Sequence, residues 1–182
     1  MLLSRPVHRF FSLSLFLTFL LSACNPIAAS IPPPQAVQSS ACPVSQPAAT
    51  PFTAPIPYPS PPDGYFWYGS DALWTGLPND GVWQGLPRHD EGYGQKLFIW
   101  RVGYDPATEP EPALTISGRR LDGDAPPLAG HVPATHAFGP DIHSAMLTGI
   151  TFPTAGCWEV TAIYTPSAGD SATLTFVVEI EE

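Results

Sequence analysis

Three histidines are the residues of this chain whose types and spacing most resemble a chemical site. His131, His136 and His143 fall within 16 residues, together with the thioether of Met146. Imidazole and thioether groups bind copper, and imidazole also binds zinc. One hypothesis is therefore a metal-handling protein with these three histidines as ligands. The alternative is three solvated loop histidines with Met146 in the core, because the spacing matches none of the common metal motifs.

Carboxylates offer a second possible chemistry. Asp122-Gly123-Asp124 could contribute to a calcium loop, which needs several oxygen ligands, but the other EF-hand positions are absent and a hairpin turn is the competing interpretation. A hydrolase built from loop carboxylates has only such acidic loops in its favour. The sequence contains no Gly-x-Ser-x-Gly, phosphate-loop, dinucleotide or His-Glu-x-x-His pattern. We therefore predict a protein that is not an enzyme and has no cofactor.

Aromatic side chains form the third candidate group. Phe66, Trp67 and Tyr68 are consecutive, and Trp74 and Trp83 follow soon after. Because consecutive strand residues alternate between faces, we expect some of these side chains to be exposed or at a sheet edge. Exposed Trp and Tyr often mark a binding surface for a sugar or a protein, with Trp67, Trp74 and Trp83 as the candidates. The alternative is that the N-terminal linker or the loop between Trp74 and Trp83 covers them.

The elements that must position these residues have the patterns of β-strands. Five segments of strand length are β-branched and aromatic or alternate between apolar and polar residues: 96–102, 113–119, 145–152, 157–165 and 173–180. Alternation with one apolar face indicates a sheet packed on one side. Turn sequences separate the segments, and none has a sustained helical period. We predict an all-β, antiparallel β-sandwich domain over residues 63–182.

A different composition precedes this domain. Residues 25–62 hold 12 of the 24 prolines, with few residues that could build a core. We predict that residues 24–62 form a disordered, proline-rich tether. Beyond residue 24 the chain has five basic and 16 acidic residues, a formal charge of −11. This acidity argues against nucleic acid as a partner, since Lys and Arg drive that binding.

The N-terminus has the pattern of a secretory signal peptide. Basic residues precede an apolar run from Phe10 to Leu21, and small residues follow. The sequence Leu21-Ser22-Ala23-Cys24 closely resembles the lipobox of bacterial lipoproteins. This resemblance implies removal of residues 1–23, lipidation of Cys24, and an extracytoplasmic protein anchored to the cell membrane through acyl chains such as palmitate. The alternatives are an uncleaved helical anchor and an ordinary signal peptide with an incidental cysteine.

A second resemblance concerns the fold. Gly156-Cys157-Trp158-Glu159-Val160 resembles a late strand of an immunoglobulin-like sandwich, in which Trp158 takes the place of a corner tyrosine and the hairpin to Leu174–Ile180 supplies the closing strands. By alternation, Cys157 faces away from Trp158, toward the outside of the sheet. The wider pattern, including Trp67-Tyr68-Gly69, resembles uncharacterised bacterial lipoproteins and transfers no catalytic residue.

Two cysteines remain once Cys24 is assigned to lipidation. In an exported protein such a pair is expected to be oxidised, and the outward direction of Cys157 suits a partner in the linker. We predict a Cys42–Cys157 disulfide that holds residues 42–62 against the sandwich, with two free thiols as the alternative. The leading functional prediction is a membrane-anchored, non-catalytic binding or structural module of the cell envelope, whose partner is an envelope protein or polymer.

Overall fold

The computed structural model describes residues 41–182, so residues 1–23, Cys24 and the first part of the linker lie outside it. The described residues form eleven strands and no helix, and therefore include no helix long and apolar enough to span a membrane. The strands are β1 (Tyr65–Ser70), β2 (Leu73–Pro78), β3 (Val82–Trp83), β4 (Arg88–His89), β5 (Gly92–Ile99), β6 (Leu114–Arg120), β7 (Leu128–Gly130), β8 (Thr135–Gly139), β9 (His143–Phe152), β10 (Gly156–Tyr164) and β11 (Ala172–Ile180).

The strands pair as in an immunoglobulin-like sandwich, which confirms the predicted fold class. One layer contains β3, β11, β10 and β6, and the other contains β8, β9, β5 and β4. Strand β7 pairs with both β6 and β9 and joins the two layers at one side. With β5, β6, β9, β10 and β11 as strands B, C, E, F and G, the order reproduces the B–E and C–F–G pairings of that fold. The short pairing of β3 with β11 is parallel, while the other strand pairs are antiparallel.

The core lies between the two layers, and the alternation of β11 explains its contribution. Leu174, Phe176 and Val178 are buried, while Thr173 and Thr175, on the opposite face of the strand, are exposed. The same period of two places apolar residues of β5, β9 and β10 in the core. Burial of one apolar face from each layer is the main favourable term that holds the sandwich together.

Trp158 occupies the corner position at the start of β10. It is fully buried, packs against Phe152 with ring centroids 5.7 Å apart, and donates from Nε1 to the Thr154 carbonyl oxygen at 3.0 Å. A corner tyrosine makes the same kind of bond to the backbone a few residues upstream. The predicted replacement of tyrosine by tryptophan at this corner is confirmed.

The hairpin formed by β1 and β2 is an addition to the sandwich that the sequence patterns did not predict. It joins β5 through one isolated bridge, in which Trp74 and Trp100 exchange N–H···O bonds of 3.0 and 2.9 Å. Leu73 and Leu77 enter the main core, whereas Trp74 enters a second cluster with Trp67 and Trp100. Both faces of the hairpin are therefore buried.

Residues 42–62, named here the strap, cover the outer face of this hairpin. The predicted Cys42–Cys157 disulfide is present, with Cα atoms 5.4 Å apart and 115 residues of sequence separation. Phe52 and Tyr58 pack on Trp74 with ring centroids 5.5 and 4.9 Å away. The prediction that the disulfide holds residues 42–62 against the sandwich is confirmed, so the description of residues 24–62 as a disordered tether does not apply to this part.

Candidate functional site

A cleft of about 330 Å³ opens between β2 and β5, just beyond the Trp74–Trp100 bridge. Its walls are mostly apolar and rich in aromatic side chains, and its charged groups are Lys96 and Asp141. The aromatic residues that line it are Tyr65, Trp67, Trp83, Phe98 and Trp100. Such a combination of apolar walls with a few polar groups is typical of binding sites.

The cleft exists because the ladder between β2 and β5 stops after one bridge. Continuation of that antiparallel register would place Gly76 opposite Phe98. Instead, the Thr75 hydroxyl donates to the Phe98 carbonyl oxygen at 2.8 Å, in the place of the Gly76 N–H. A Cβ atom at Gly76 would lie 3.1 Å from Cζ3 of Trp67, so glycine leaves room for the ring that forms one wall.

Main-chain groups of β5 line the open side of the cleft. Trp100 and Gly94 direct their N–H groups away from β9, toward Trp74 and Pro87, so by alternation Lys96 and Phe98 point the same way. The Lys96 N–H donates to Oε1 of Gln95 at 2.9 Å. The Phe98 N–H and the Lys96 carbonyl have no partner among residues 41–182. The cleft therefore offers a main-chain donor and a main-chain acceptor beside apolar walls.

Two of the three tryptophans predicted to bind a ligand meet in this cleft. Trp67 and Trp83 line it, and the buried Nε1 of Trp83 has no acceptor within the described part of the chain. Trp74 does not reach the cleft, since it lies beneath the strap. All three are buried, at 5, 4 and 0% exposure, rather than exposed as a binding platform would require. The strap accounts for the burial of Trp67 and Trp74, because it covers the second face of the hairpin, whereas Trp83 is buried in the main core against Phe152 and Phe176.

The three candidate metal ligands are not brought together. Between residues 41 and 182 no group of three or more His, Cys, Asp or Glu side chains is placed to hold a metal ion. The histidines have separate neighbours: Thr151 for His131, the Pro110 carbonyl for His136, and the Tyr58 ring for His143. Met146 is fully buried in the core, as its alternative assignment predicted. The predicted histidine site is therefore not assembled.

Asp122 is engaged in an ion pair instead of an assembled calcium loop. Its Oδ1 accepts a hydrogen bond of 2.7 Å from Nε of Arg120. This hydrogen bond lowers the pKa of the Asp122 carboxyl. The segment lies in the bend between the antiparallel strands β6 and β7, which agrees with the turn interpretation.

A separate cluster of titratable groups lies around Tyr104 and Tyr164. Burial, with the nearby Glu109 carboxylate as a further cause, raises the pKa of each tyrosine to about 12. Tyr164 donates to the Glu109 carboxylate, and Tyr104 donates to the Glu109 carbonyl oxygen at 3.0 Å. The Arg101 guanidinium stacks on the Tyr164 ring at 5.0 Å. Both tyrosine hydroxyls are thus hydrogen-bonded to Glu109, which favours a structural role, while Nη1 of Arg101 is buried without a partner in the described range.

The fold and the cleft define an all-β protein of immunoglobulin-like strand order with a cleft rich in aromatic side chains. No family model, no curated protein and no solved structure matches the chain. Its function is therefore inferred from the residues and geometry described above.

Proposed function

We propose that this protein is a lipid-anchored, extracytoplasmic and non-catalytic binding module of the bacterial cell envelope, which holds its partner in the cleft between β2 and β5. The observation that carries the proposal is the cleft itself, with its aromatic walls and the main-chain groups of Lys96 and Phe98 that are unpaired within residues 41–182. The charged groups that line it are Lys96 and Asp141, and its lining includes no histidine or cysteine. This lining favours binding over catalysis.

The anchor and the strap support an envelope location. The lipobox-like sequence ends at Cys24, and a disulfide such as Cys42–Cys157 is typical of exported proteins. With the strap held on the domain, only the residues between Cys24 and Cys42 would separate it from the lipid. Fully extended, they would reach at most about 55 Å. The partner we propose is therefore an envelope protein or polymer close to the membrane.

Replacement of Cys24 tests the anchor. Cys24→Ser removes the thiol that would carry the lipid, so we expect complete loss of incorporated fatty acid and of membrane association. The measurement is metabolic labelling with an alkynyl fatty acid, followed by membrane fractionation. Cys42→Ser is the matched control, because it also removes one thiol but leaves the lipobox-like sequence intact. Labelled, membrane-bound Cys24→Ser protein would contradict the anchor.

Photocrosslinking tests the cleft while its ligand is still unidentified. We expect p-benzoylphenylalanine at position 96, on the exposed rim of the cleft, to trap a discrete adduct in intact cells. The matched control is the same residue at position 163, because Ile163 is also exposed but lies on β10 and does not line the cleft. The adducts are identified by mass spectrometry. Equal or absent adducts at the two positions would contradict a ligand in the cleft.

A further inference from the structure

We propose that the ligand of the cleft is an extended polypeptide segment, which adds to the edge of β5 as a further strand. This inference rests on the proposed function, because it names the chemical class of the ligand that the same cleft would hold. Addition of a peptide strand to an open sheet edge is a recurrent mode of recognition, in which main-chain hydrogen bonds supply affinity and pockets supply specificity.

The edge of β5 that faces the cleft carries unpaired main-chain groups. The Lys96 carbonyl and the Phe98 N–H face the cleft from positions two residues apart, without a partner in the described range. Outward-facing groups on one strand repeat every two residues, about 6.6–6.8 Å, and an extended peptide presents its own donors and acceptors at the same repeat. Across the cleft, Gly76 directs its main chain toward β5 by the alternation that starts at Trp74.

Neighbouring stretches of strand edge are already paired with other parts of the chain. Strand β4 covers the start of β5 through Gly92 and Tyr93, and the Trp74 bridge covers the position just beyond its end. On β11, Ser45 of the strap pairs with Val177, with N···O and N···Oγ distances of 2.9 Å. Folded proteins usually protect their edges in this way, because open edges recruit other chains. An open edge next to an aromatic cavity therefore points to a peptide ligand.

The lining of the cleft indicates which side chains such a peptide would carry. The rings of Trp67, Trp83 and Tyr65 provide an apolar wall, which favours an aliphatic or aromatic side chain directed into the cleft. Asp141 and Lys96 give the rim one charge of each sign, but the described residues together carry five basic and 16 acidic side chains, so the surface around the cleft is acidic overall. This charge favours a Lys or Arg beside the apolar residue. The occupant is thus a basic, extended segment with at least one apolar anchor.

Hydrogen exchange tests whether the edge is open and whether a peptide closes it. In the free protein we expect the Phe98 amide to exchange on the order of tenfold or more faster than the Trp100 amide, which is hydrogen-bonded to Trp74. A bound strand should protect Phe98 and leave Trp100 unchanged. Slow exchange of Phe98 in the free protein would overturn the assignment of an open edge.

A binding experiment identifies the class of ligand. The probe is a random heptapeptide library displayed on phage and selected on the purified full-length protein in detergent. We expect basic peptides with an apolar anchor, whose affinity falls on the order of tenfold or more when alternate peptide nitrogens are methylated, since a main-chain bond to β5 is then lost. Methylation of the intervening nitrogens should cost less, because these face away from β5, toward the main chain of Gly76 alone.

Lys96→Pro is the protein variant that closes the edge. The Lys96 N–H points away from β9, so the ring of a proline at this position would project into the space of an added strand and block it sterically, while the β5–β9 ladder is kept. Lys96→Ala is the matched control, which removes the same side chain but retains the open edge. We expect the peptide affinity of Lys96→Pro to fall on the order of tenfold or more below that of Lys96→Ala, so that the comparison separates the open edge from the side chain. If Lys96→Pro fails to fold, the N-methyl peptides still decide the question on the wild-type protein.

Each remaining outcome overturns the inference. These outcomes are a library without a binder, selected peptides that bind equally to Lys96→Pro, and methylation that has no effect on their affinity. A glycan or lipid trapped by the photocrosslinker at position 96 would also overturn a peptide ligand while leaving the proposed binding function intact. Failure of both the library and the photocrosslinker would remove the binding function as well.

Discussion

Replacement of both Cys42 and Cys157 by serine is expected to lower the free energy of unfolding by about 4–5 kcal/mol. The reason is the long loop that the disulfide closes, with 115 residues of separation between the two cysteines. The bond removes much of the conformational freedom of the unfolded chain, and its loss returns that freedom. Such a loss would be a large fraction of the stability of an ordinary domain.

The strap adds a second consequence of the same change. Without the disulfide, Phe52 and Tyr58 would still pack on Trp74, and the Tyr58 hydroxyl would still donate to the Arg101 carbonyl oxygen, now 2.6 Å away. These contacts would have to order the strap alone, against its conformational entropy. We therefore expect residues 42–62 to become the first part of the chain to be cut by a protease.

Urea denaturation of the wild type and the double variant is the measurement. The single variants Cys42→Ser and Cys157→Ser are the controls, and they should lose nearly as much stability as the double variant, because either one removes the whole bond. Cys24→Ser is a further control, because it also replaces a cysteine with serine but leaves the Cys42–Cys157 disulfide intact. A difference below about 1 kcal/mol between the oxidised wild type and the double variant would show that the loop-closure argument does not apply.

The sandwich could be predicted from the sequence because its long strands are buried on one face. Strands β10 and β11 alternate between core and surface, and this period of two is visible without a structure. The corner role of Trp158 came from the resemblance of residues 156–160 to a late immunoglobulin-like strand, and the pairing of Cys42 with Cys157 from the cysteine count together with the outward direction of Cys157. These features depend on local patterns, or on a pair of residue types with few possible partners.

The hairpin could not be predicted in this way, because it is buried on both faces. Strand β2, Leu73–Pro78, has a single partly exposed residue, Gly76, so no alternation distinguishes its faces. It also contains a glycine and a proline, which argue against a strand. The strap covers the outer face of the hairpin, and this long-range contact is absent from any local sequence window.

The cleft depends on register, which the sequence patterns do not specify. It forms where the Thr75 hydroxyl takes the Phe98 carbonyl and ends the ladder after one bridge. The three candidate histidines are kept apart for a related reason. An extended strand advances about 3.3 Å per residue, so residues five or seven apart in sequence are well separated unless a turn brings them together. The pairing of β8 with β9 sets His136 opposite Met146 and His143 opposite Gly139.

Trp158→Ala is expected to lower the free energy of unfolding by about 3–5 kcal/mol, the usual loss for a large buried aromatic side chain. Trp158 is fully buried at the meeting point of the two layers, against Phe152, so its removal leaves a cavity that the sheets on both sides prevent from closing. Equilibrium unfolding in urea measures the loss. Stability close to that of the wild type would show that the corner is dispensable.

Trp158→Phe separates the hydrogen bond at the corner from the packing of the ring. This variant keeps an aromatic side chain but loses the bond from Nε1 to the Thr154 carbonyl oxygen. Trp74→Phe is the matched control, because Trp74 is also fully buried while its Nε1 has no partner among the described residues. Since the two changes remove the same atoms, we expect Trp158→Phe to cost about 1 kcal/mol more than Trp74→Phe. Equal losses would mean that the corner acts through packing alone, and that tryptophan replaces the usual tyrosine for its volume rather than for its N–H donor.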